Sequence, residues 1–531
     1  MKIVIADSLP ASAIERLREG DWIVDARSGR QPAALAADVA DADALIVRSS
    51  TKVTRELIAA APKLRVIARA GTGVDNVDVG AATERGIVVM NAPGVNSVSV
   101  AEHAFALILA LARGIPAADA SMKSTHWEKS KFTGGELRSK VLGIVGLGRV
   151  GQEVASRAHA FGMEVLAHDP FISAQVAADL GVELVSLDDL CRRSDHITLH
   201  LPATAATRRL FNAERLALCK KGVRLINTAR GDLIDEKALL AALESGHVGG
   251  AALDVFASEP PADWRLASLA QVIATPHIAA STREAQEMVG IDTATAVRDF
   301  LREGVVRNAV NFPSVSLEEY KRIRPYLVLA ERLGSVVAHL GEARIEAVGV
   351  RYYGELASEN GQLLGSAVLV GLFAAMLSSG VTPVNARTVA SQRGIELIES
   401  RSSRPRNFTS LISVKLQTSA GERWVEGTAF ENGSLRLVLV NGVAVEAPLE
   451  GAMLIIANRD QPGVIGEVGS LLGRHGVNIA NFALGRGPEG AVGVVNVDEA
   501  PTATNSGVIT DEVLSEIRAV TAVRAAWLIR L

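Results

Sequence analysis

Residues 141–162 read VLGIVGLGRVGQEVASRAHAFG, and this stretch decides the fold of the chain. It opens on VLGIV, an unbroken apolar run that is typical of a parallel strand buried on both faces. Gly146, Gly148 and Gly151 follow as GLGRVG, and a helical pattern comes directly after them. The glycines permit a tight turn, a close approach of backbone to a pyrophosphate, and close packing of helix on strand. We therefore predict a dinucleotide-binding unit whose helix N-terminus faces the phosphates.

The residue that follows the next strand indicates which dinucleotide binds. Asp169 lies 18 residues after Gly151, at the end of the predicted strand EVLAH (164–168). A carboxylate there accepts hydrogen bonds from both hydroxyls of an adenosine ribose, and Pro170 and Phe171 follow it in place of an arginine. Because a 2′-phosphate would be repelled by Asp169, the sequence favours NAD over NADP.

Short strand-like runs alternate with helical patterns on both sides of this stretch, which favours parallel α/β architecture. The predicted strands before it are KIVIA (2–6), ALIVRS (44–49), RVIARA (65–70) and IVVMN (87–91). The predicted strands after EVLAH are HITLH (196–200), RLIN (224–227), GAALDV (250–255) and QVIAT (271–275). A long helix from about 282 to 303 closes this second unit and leads the chain back to the first.

The pattern changes after residue 313. Apolar residues recur three and four positions apart over 317–340, which predicts an amphipathic helix. The run LRLVLV-Asn-Gly-VAVEA (435–447) predicts a hairpin with its turn at Asn441 and Gly442. A further unit follows, because 452–484 has the pattern of a strand, a loop, a helix and a strand.

Composition limits the class of protein. The 531 residues suggest three to four domains, and a net charge of −4 argues against a nucleic-acid-binding surface. Cys191 and Cys219 are the only cysteines, so we expect no structural zinc site and a reducing compartment. The N-terminal MKIVIADS is too short for a signal-peptide core, and the apolar run 104–112 is too short to span a membrane. We therefore expect a soluble cytoplasmic protein.

Three side chains that suit redox chemistry each follow a predicted strand: Arg230 in INTARGD, Glu259 in DVFASEP and His277 in TPHIAA. Because the carboxyl ends of parallel strands form the ligand crevice, we expect all three near the nicotinamide. A histidine moves a hydroxyl proton, a carboxylate orients the histidine, and an arginine binds a carboxylate and polarises a carbonyl. Each residue alone has an ordinary structural interpretation, so it is their joint placement that predicts catalysis.

The segments GLGRVG, INTARGD, DVFASEP and TPHIAAST resemble the D-isomer-specific 2-hydroxyacid dehydrogenases. VRSSTKVT (47–54) and ARAGTGVDNVD (68–78) are similar to the 3-phosphoglycerate dehydrogenase branch of that family. The resemblance covers essentially the whole chain. It implies two doubly wound domains, one flavodoxin-like (1–97 with 288–312) and one NAD-binding Rossmann domain (98–287). It also implies an α+β intervening, allosteric substrate-binding domain (313–450) and a βαββαβ ACT domain (451–531).

The resemblance also implies an activity, the NAD-dependent oxidation of 3-phospho-D-glycerate to 3-phosphooxypyruvate, which begins L-serine biosynthesis. His277 becomes the general acid/base, Glu259 its partner, and Arg230 the group that binds the substrate's carboxylate and carbonyl oxygen. The other implied substrate-binding residues are Arg48, Ser49, Gly71 and Gly73. The implied dinucleotide-binding residues, beyond the motif glycines, are Thr72, Arg149, Val150, Asp169, Thr228 and Asp254. Asp460 and Asn478 match positions that bind an amino-acid effector, expected to be serine, and the family is oligomeric, as a homodimer or homotetramer.

The chain departs from its relatives at one point that concerns the substrate phosphate. Some relatives carry a second arginine shortly after the position of Arg48, whereas this chain has Ser50 and Thr51, with Lys52 as the nearest cation. How the phosphate is balanced is therefore left open, and Lys129 and Lys131 are further candidates.

Two other functions also stay open at this stage. The first is a dehydrogenase for glyoxylate, hydroxypyruvate or D-lactate, which the C-terminal 220 residues or so argue against, since simpler relatives lack them. The second is a non-catalytic NAD sensor or transcriptional co-regulator, which the intact set of Arg230, Glu259 and His277 argues against.

Overall fold

The computed structural model describes residues 1–20, 22–341, 343–358, 361–377, 380–404, 406–488, 490–499 and 507–531. Its described residues build four sheets in succession along the chain. Each sheet buries an apolar core against its own helices, as expected of a chain long enough for several domains.

The first sheet is parallel and has the order β2-β1-β3-β4-β5, which is the order of flavodoxin-like folds. Its strands are β1 (Lys2–Ile5), β2 (Ile23–Ala26), β3 (Ala44–Val47), β4 (Val66–Arg69) and β5 (Val88–Met90). Its helices are α1 (Ala11–Arg18), α2 (Pro32–Val39), α3 (Arg55–Ala59) and α4 (Val79–Glu84). The later helix Arg283–Glu303 returns to this sheet, where Ala294, Val297 and Phe300 share a core with Ile3 and Val66.

The second sheet is also parallel, in the order β12-β11-β10-β9-β6-β7-β8. Its strands are β6 (Val141–Val145), β7 (Glu164–His168), β8 (Glu183–Leu184), β9 (His196–Leu199), β10 (Val223–Asn227), β11 (Val248–Leu253) and β12 (Val272–Ala274). The helices of this region are α5 (Ser97–Arg113), α6 (Ile115–Lys123), α7 (Arg149–Ala160), α8 (Ala174–Asp179), α9 (Leu187–Arg193), α10 (Ala213–Leu218), α11 (Glu236–Glu244) and α12 (Arg283–Glu303). Short 3₁₀ turns cover Lys129–Phe132 and Gly231–Leu233.

One predicted strand in this sheet is displaced. The prediction placed a strand over 250–255, but β11 ends at Leu253. The Asp254 backbone N–H still donates to the Asn227 carbonyl oxygen of β10 at 3.0 Å, but the Asp254 carboxylate binds the backbone of the loop after β12. Helix α5 buries Ala104, Phe105 and Ile108 in the core of its own domain.

The third sheet is mixed, in the order β14-β13-β15-β16-β17-β18, with β13 and β14 parallel and the other pairs antiparallel. Helix α13 (Leu317–Leu340) has the predicted bounds. The other elements are β13 (Ile345–Gly354), a 3₁₀ turn (Glu355–Ser358), α14 (Gly361–Ala374), α15 (Ala386–Gln392), β14 (Glu396–Ser402), β15 (Ser410–Thr418), β16 (Gly421–Ala429), β17 (Leu435–Val440) and β18 (Val443–Pro448). The predicted hairpin is confirmed, since Asn441 and Gly442 both have positive φ, 47° and 83°, as a type I′ turn requires.

The fourth sheet is antiparallel, in the order β20-β21-β19-β22. Its elements are β19 (Ala452–Asn458), α16 (Val464–Arg474), β20 (Asn478–Gly487), β21 (Gly490–Asp498), α17 (Asp511–Ala519) and β22 (Val523–Arg530). The chain order is the βαββαβ arrangement expected of an ACT domain. Domain boundaries at 97, 287, 312 and 450 stay a prediction.

The described helices are short or polar relative to a membrane span. Among them, no single helix is long and apolar enough to cross a membrane, although α5 and α6, bent by 65°, meet the criteria of length and composition as a pair.

Candidate active site

His277 and Glu259 form a pair at the carboxyl end of the second sheet. Glu259 lies in the loop after β11 and His277 in the loop after β12, the neighbouring strand. His277 Nδ1 lies 2.7 Å from Glu259 Oε2, and Glu259 Oε1 accepts a hydrogen bond from the Phe256 backbone N–H at 3.2 Å. Because Nδ1 is committed to the carboxylate, Nε2 is the nitrogen available to a substrate. The side chain of His277 is 47% exposed, so a substrate can reach it.

Asp254 fixes the loop that carries His277. Its buried carboxylate accepts hydrogen bonds from Thr275 Oγ1 at 2.6 Å and from the backbone N–H groups of Ile278 and Ala279 at 2.8 and 2.9 Å. Burial alone would raise the pKa of Asp254, but hydrogen bonds from His103, Thr275 and the two amides outweigh it and lower the pKa. The backbone carbonyl oxygen of Asp254 also accepts a hydrogen bond from the backbone N–H of His277 at 2.8 Å. His277 is thereby held with a φ of 54°, a conformation that few residues other than glycine adopt.

Arg230 reaches from the second sheet to the first unit. It follows β10, and its Nε donates to Asp75 Oδ2 at 3.0 Å across the cleft between the two units. Asn227 Nδ2 donates to the Arg230 carbonyl at 2.8 Å and fixes the turn that presents the arginine. A Cβ atom at Gly73 would lie 2.0 Å from the guanidinium of Arg230. A side chain at position 73 would therefore displace the Arg230 guanidinium, so Gly73 permits the position that Arg230 takes here.

Arg69, which the sequence analysis did not single out, lies beside these residues. It is the last residue of β4, and a Cβ atom at Gly71 would lie 1.7 Å from its guanidinium. Burial lowers the pKa of Arg69, and the positive charges of Arg230 and Arg48 lower it further. The negative charge of Asp75 raises it, but by less. Its Nε is buried and has no hydrogen-bond partner among the described residues. The available signal was an arginine that ends the apolar run VIAR, as Arg48 follows the run ALIV.

Arg48 and Ser49 follow β3 at the same edge of the first sheet. Asp7 Oδ2 accepts from the Arg48 N–H at 2.5 Å, and Asp7 Oδ1 accepts from Thr51 Oγ1 at 2.8 Å. Asn76 Nδ2 donates to the Arg48 carbonyl at 2.7 Å. These contacts fix the loop that carries both predicted substrate-binding residues, and Ser49 is exposed on it. Arg48, Arg69 and Arg230 therefore make one cationic cluster, defined by these three residues.

The lysines suggested as alternatives have other surroundings. Lys131 pairs with Glu128, and both lysines lie in or beside the 3₁₀ turn Lys129–Phe132. Lys129 is exposed. The suggestion that Lys129 and Lys131 balance the substrate phosphate stays a prediction.

The glycine-rich turn has the geometry that the motif predicts. Gly146 has a φ of 95°, and a Cβ atom there would lie 2.4 Å from the His200 carbonyl oxygen. A Cβ atom at Gly151 would lie 2.2 Å from the Gly146 carbonyl oxygen, so this glycine permits close packing. At Gly148, the residue before α7, a Cβ atom would meet nothing within 4 Å. The second glycine therefore faces open space, which is where a pyrophosphate approaches the backbone.

Other observations at this edge also fit a bound dinucleotide. Thr228, after β10, has a buried Oγ1 with no hydrogen-bond partner among the described residues. Asp169, after β7, accepts from the N–H groups of Leu147 at 2.8 Å and Phe171 at 2.9 Å, and its side chain is half-buried. Each carboxylate oxygen thus has one backbone donor and keeps a lone pair for a ribose hydroxyl. The Asp254 carboxylate also holds the His277 loop, and its part in dinucleotide binding stays a prediction.

Thr72, Arg149 and Val150 lie where the two units meet. Thr72 Oγ1 donates to Asn96 Oδ1 at 3.0 Å, and the Arg149 guanidinium donates to the Pro93 carbonyl oxygen. Thr72 thus connects the first sheet's unit, and Arg149 the second sheet's unit, to the segment that precedes α5. Val150 is half-buried against the core beneath β6.

The two predicted effector residues have partners in the fourth sheet's unit. Asp460 lies in the loop before α16 and is 3.3 Å from Arg486 Nε. Asn478, the first residue of β20, donates from Nδ2 to Asp498 Oδ2 at 2.8 Å. Among the described residues, no group of three or more His, Cys, Asp or Glu side chains is arranged to hold a metal ion.

Family models match three successive parts of the chain. The D-isomer specific 2-hydroxyacid dehydrogenase NAD binding domain matches residues 105–279. The D-3-phosphoglycerate dehydrogenase intervening domain matches 322–441, and the ACT domain matches 452–516.

Curated relatives match the chain end to end. The D-3-phosphoglycerate dehydrogenase of Methanocaldococcus jannaschii is 42% identical and covers 100% of both chains. The enzyme of the same name from Synechocystis is 42% identical over 100% of this chain and 95% of that protein. The Mycobacterium tuberculosis enzyme is 45% identical over 92% of each. The chain belongs to the D-3-phosphoglycerate dehydrogenase family.

Solved structures confirm the architecture of the catalytic part. The chain is similar to a D-lactate dehydrogenase from Aquifex aeolicus complexed with NAD and lactic acid, with 31% identity and a TM-score of 0.53 over 59% of this chain and 100% of that one. The TT0316 protein of Thermus thermophilus gives 38% identity and a TM-score of 0.54 over 58% of this chain and 100% of that one. The chain is thus an NAD-dependent 2-hydroxyacid dehydrogenase, and the interpretation as a non-catalytic sensor is set aside.

Proposed function

We propose that this enzyme oxidises 3-phospho-D-glycerate to 3-phosphooxypyruvate, the first step of L-serine biosynthesis. The proposal rests on the cationic cluster of Arg48, Arg69 and Arg230. These arginines lie at strand ends that border the same cleft as the His277–Glu259 pair. A substrate with a carboxylate at one end and a phosphate at the other needs cations at both ends. The relatives that share the whole chain carry the name of this activity.

His277 moves the proton in the proposed reaction. Its Nε2 accepts the proton of the C2 hydroxyl as the C2 hydride leaves, and the bound NAD supplies the hydride acceptor. Glu259, 2.7 Å from Nδ1, stabilises the imidazolium that forms and keeps the ring oriented. Arg230 binds the carboxylate and polarises the oxygen that becomes the carbonyl, since its planar guanidinium donates two parallel hydrogen bonds.

The first unit holds the phosphate end of the substrate. Arg48 directly follows β3 and Arg69 ends the neighbouring β4, so their side chains start from the same edge of the sheet. Arg69 has an unpartnered, buried Nε among the described residues, and a phosphate is the kind of ligand that satisfies it. Gly71, Gly73 and Ser49 complete this part of the cleft. Arg69 thus takes the place of the second arginine that some relatives carry shortly after Arg48 and that this chain lacks.

The dinucleotide lies along the carboxyl edge of the second sheet. The turn of Gly146, Gly148 and Gly151 would bring the N-terminus of α7 to its pyrophosphate, and Asp169 would bind the adenosine ribose. Thr228, Arg149, Val150 and Thr72 border the same edge. Asp254 acts on this site as a positioning residue, through the His277 loop.

Regulation and location complete the proposal. Serine binds the ACT domain at Asp460 and Asn478 and inhibits the enzyme. The enzyme is a homodimer or homotetramer and works in the cytoplasm, where its two free cysteines stay reduced.

The direct test is NADH consumption by the purified enzyme with 3-phosphooxypyruvate, run beside hydroxypyruvate, glyoxylate and pyruvate, with and without serine. The proposal expects the phosphorylated acid to have the highest kcat/KM and serine to reduce the rate. An unphosphorylated acid that outperforms it would assign the enzyme to another 2-hydroxyacid substrate, as in the D-lactate dehydrogenase that shares its catalytic fold.

A further inference from the structure

A cavity of about 590 Å³ lies between the first sheet's unit and the intervening domain. It borders the amino ends of β4 and β5, at Leu64, Arg65 and Val88, whereas the catalytic cleft borders the carboxyl ends of the same strands. The cavity is therefore separate from the active site. No residue assigned above to catalysis, cofactor, substrate or serine lines it.

Hydrogen bonds between the two units fix the walls of this cavity. Thr382 Oγ1 donates to the Gly86 carbonyl oxygen at 2.9 Å, and Asn385 Nδ2 donates to the Glu84 carbonyl oxygen at 3.2 Å. Asn385 is 2% exposed and also accepts from the Thr382 N–H at 2.8 Å. Both intervening-domain residues are thus rigidly placed, so the cavity is a built feature of the fold.

The lining combines an apolar interior with positive charge. Apolar side chains come from both units, with Phe300 and Val306 on one wall and Leu327, Val328 and Val370 on the other. Val328 is 37% exposed although it faces the cavity from helix α13, so its apolar surface has room to contact a ligand. Such an arrangement, mostly apolar with a few polar groups, is typical of small-molecule sites.

The charged residues of the lining favour an anion. Four are cationic, Lys63, Arg65, Arg85 and Arg324, and one, Glu331, is acidic. Arg324 and Val328 lie one helical turn apart on α13, so a cation borders the exposed apolar surface directly. Within the part of the chain that the structure describes, the Arg324 side chain makes no hydrogen bond or ion pair.

We propose that this cavity binds a small apolar carboxylate, an occupant that the proposed dehydrogenase activity does not require. The apolar body lies against Val328, Leu327 and Val370, and the carboxylate accepts hydrogen bonds from Arg324. A guanidinium matches the planar carboxylate because it donates two parallel hydrogen bonds.

Calorimetric titration of the full-length protein with three matched probes tests the proposal. Octanoate, octan-1-ol and octylamine share one apolar body and differ in the charge of the head group. Octanoate is expected to bind, octan-1-ol to bind about tenfold more weakly or less, and octylamine to give no binding heat. Equal binding of all three probes, or no binding of octanoate, would overturn the proposal. The titration uses neither NAD nor oxo acid, so its result is independent of the proposed activity.

Two variants locate the site. Arg324→Gln is expected to weaken octanoate about tenfold and to leave octan-1-ol binding unchanged, because only the charged head group is affected. Val328→Trp, which fills the cavity from an exposed position, is expected to abolish the binding of both. Lys321→Gln, the same loss of charge on α13 outside the lining, is the matched control and should bind octanoate like the parent protein. Octanoate affinity that is unchanged in both cavity variants would place its binding elsewhere.

Discussion

At the scale of single residues, His277 is held by both its side chain and its backbone. Glu259 binds its Nδ1, and the Asp254 carbonyl binds its N–H. We expect His277→Ala to lower kcat by about 100- to 10,000-fold, since the enzyme then loses its general base, while NAD affinity is retained. Steady-state rates and a fluorescence titration with NADH measure the two quantities.

His475→Ala is the matched control for this variant. His475 also lies beside a carboxylate, with its Nε2 3.2 Å from Glu516, but it belongs to the ACT domain. It should leave kcat unchanged. Parent-like turnover in His277→Ala would remove His277 from the chemistry.

Asp169 gives a prediction about cofactor choice. Asp169→Ala removes the acceptor for the ribose hydroxyls and the charge that repels a 2′-phosphate, so we expect NAD affinity to fall about tenfold and the ratio of NADP to NAD use to rise. The measurement is kcat/KM with each dinucleotide, with Asp179→Ala, an exposed carboxylate on α8, as the control. A ratio that does not change would show that Asp169 does not select the cofactor.

Arg230, Glu259 and His277 could be predicted because each stands in a short segment directly after a strand, and parallel strands bring such segments together. Arg69 was missed because it is counted within a strand, and its approach to Gly71 depends on how the chain turns beyond β4. The hydrogen bonds that the Asp254 carboxylate accepts from the backbone amides of Ile278 and Ala279 could not be predicted, because no sequence pattern indicates them.

At the scale of elements, the loop after β12 depends on one buried carboxylate. Asp254→Asn replaces an acceptor oxygen by an NH₂ group that faces backbone N–H or hydroxyl donors, and we expect the free energy of unfolding to fall by about 1–3 kcal/mol at neutral pH. Denaturant unfolding measures it, with the exposed Asp263→Asn as the control.

The loss of stability in Asp254→Asn should depend on pH in one direction. Because the pKa of Asp254 in the folded protein lies below the ordinary value of 3.8, the ionised group stabilises the fold above that value, and this contribution is lost as the pH falls through the lowered pKa. The difference between parent and Asp254→Asn should therefore narrow in acid below about pH 4. A difference that stays constant, or widens, would contradict the role given to the carboxylate.

Elements with strong local signals were predicted well. Helix α13 has its predicted ends because Ser316 caps its first turn and the apolar period runs without a break, despite Pro325 inside it. The Asn441–Gly442 turn followed from residues that tolerate positive φ. The end of β11 was misplaced because the prediction extended the strand over Asp254 and Val255, whereas the strand ends at Leu253 and the Asp254 carboxylate binds the loop after β12.

At the scale of the whole molecule, regulation and catalysis belong to different domains. Asp460→Asn removes the charge expected to bind the ammonium group of serine, so the serine concentration for half-inhibition should rise about tenfold or more while kcat without serine is unchanged. Inhibition curves measure it, with Glu512→Gln, an exposed acid on α17, as the control. An unchanged curve would exclude Asp460 from the effector site.

How the domains meet was beyond the sequence analysis. The contact of Thr382 with Gly86 joins residues 296 positions apart, and neither residue belongs to a periodic or capping pattern that predicts a partner. The cavity between these units follows from that docking and could be found only in three dimensions.

We propose that Arg48 and Arg69, at the strand ends of the first sheet's unit, select a phosphorylated substrate. The most direct test of this claim is the ratio of kcat/KM for 3-phosphooxypyruvate to that for hydroxypyruvate, measured in the parent enzyme, in Arg69→Met and in Arg65→Met. Arg65 lies at the other end of the strand that Arg69 terminates, so Arg65→Met is the matched control. We predict a ratio well above one in the parent and in Arg65→Met, and a fall of about tenfold or more in Arg69→Met. A parent ratio near one, or a ratio that Arg69→Met leaves unchanged, would contradict the claim.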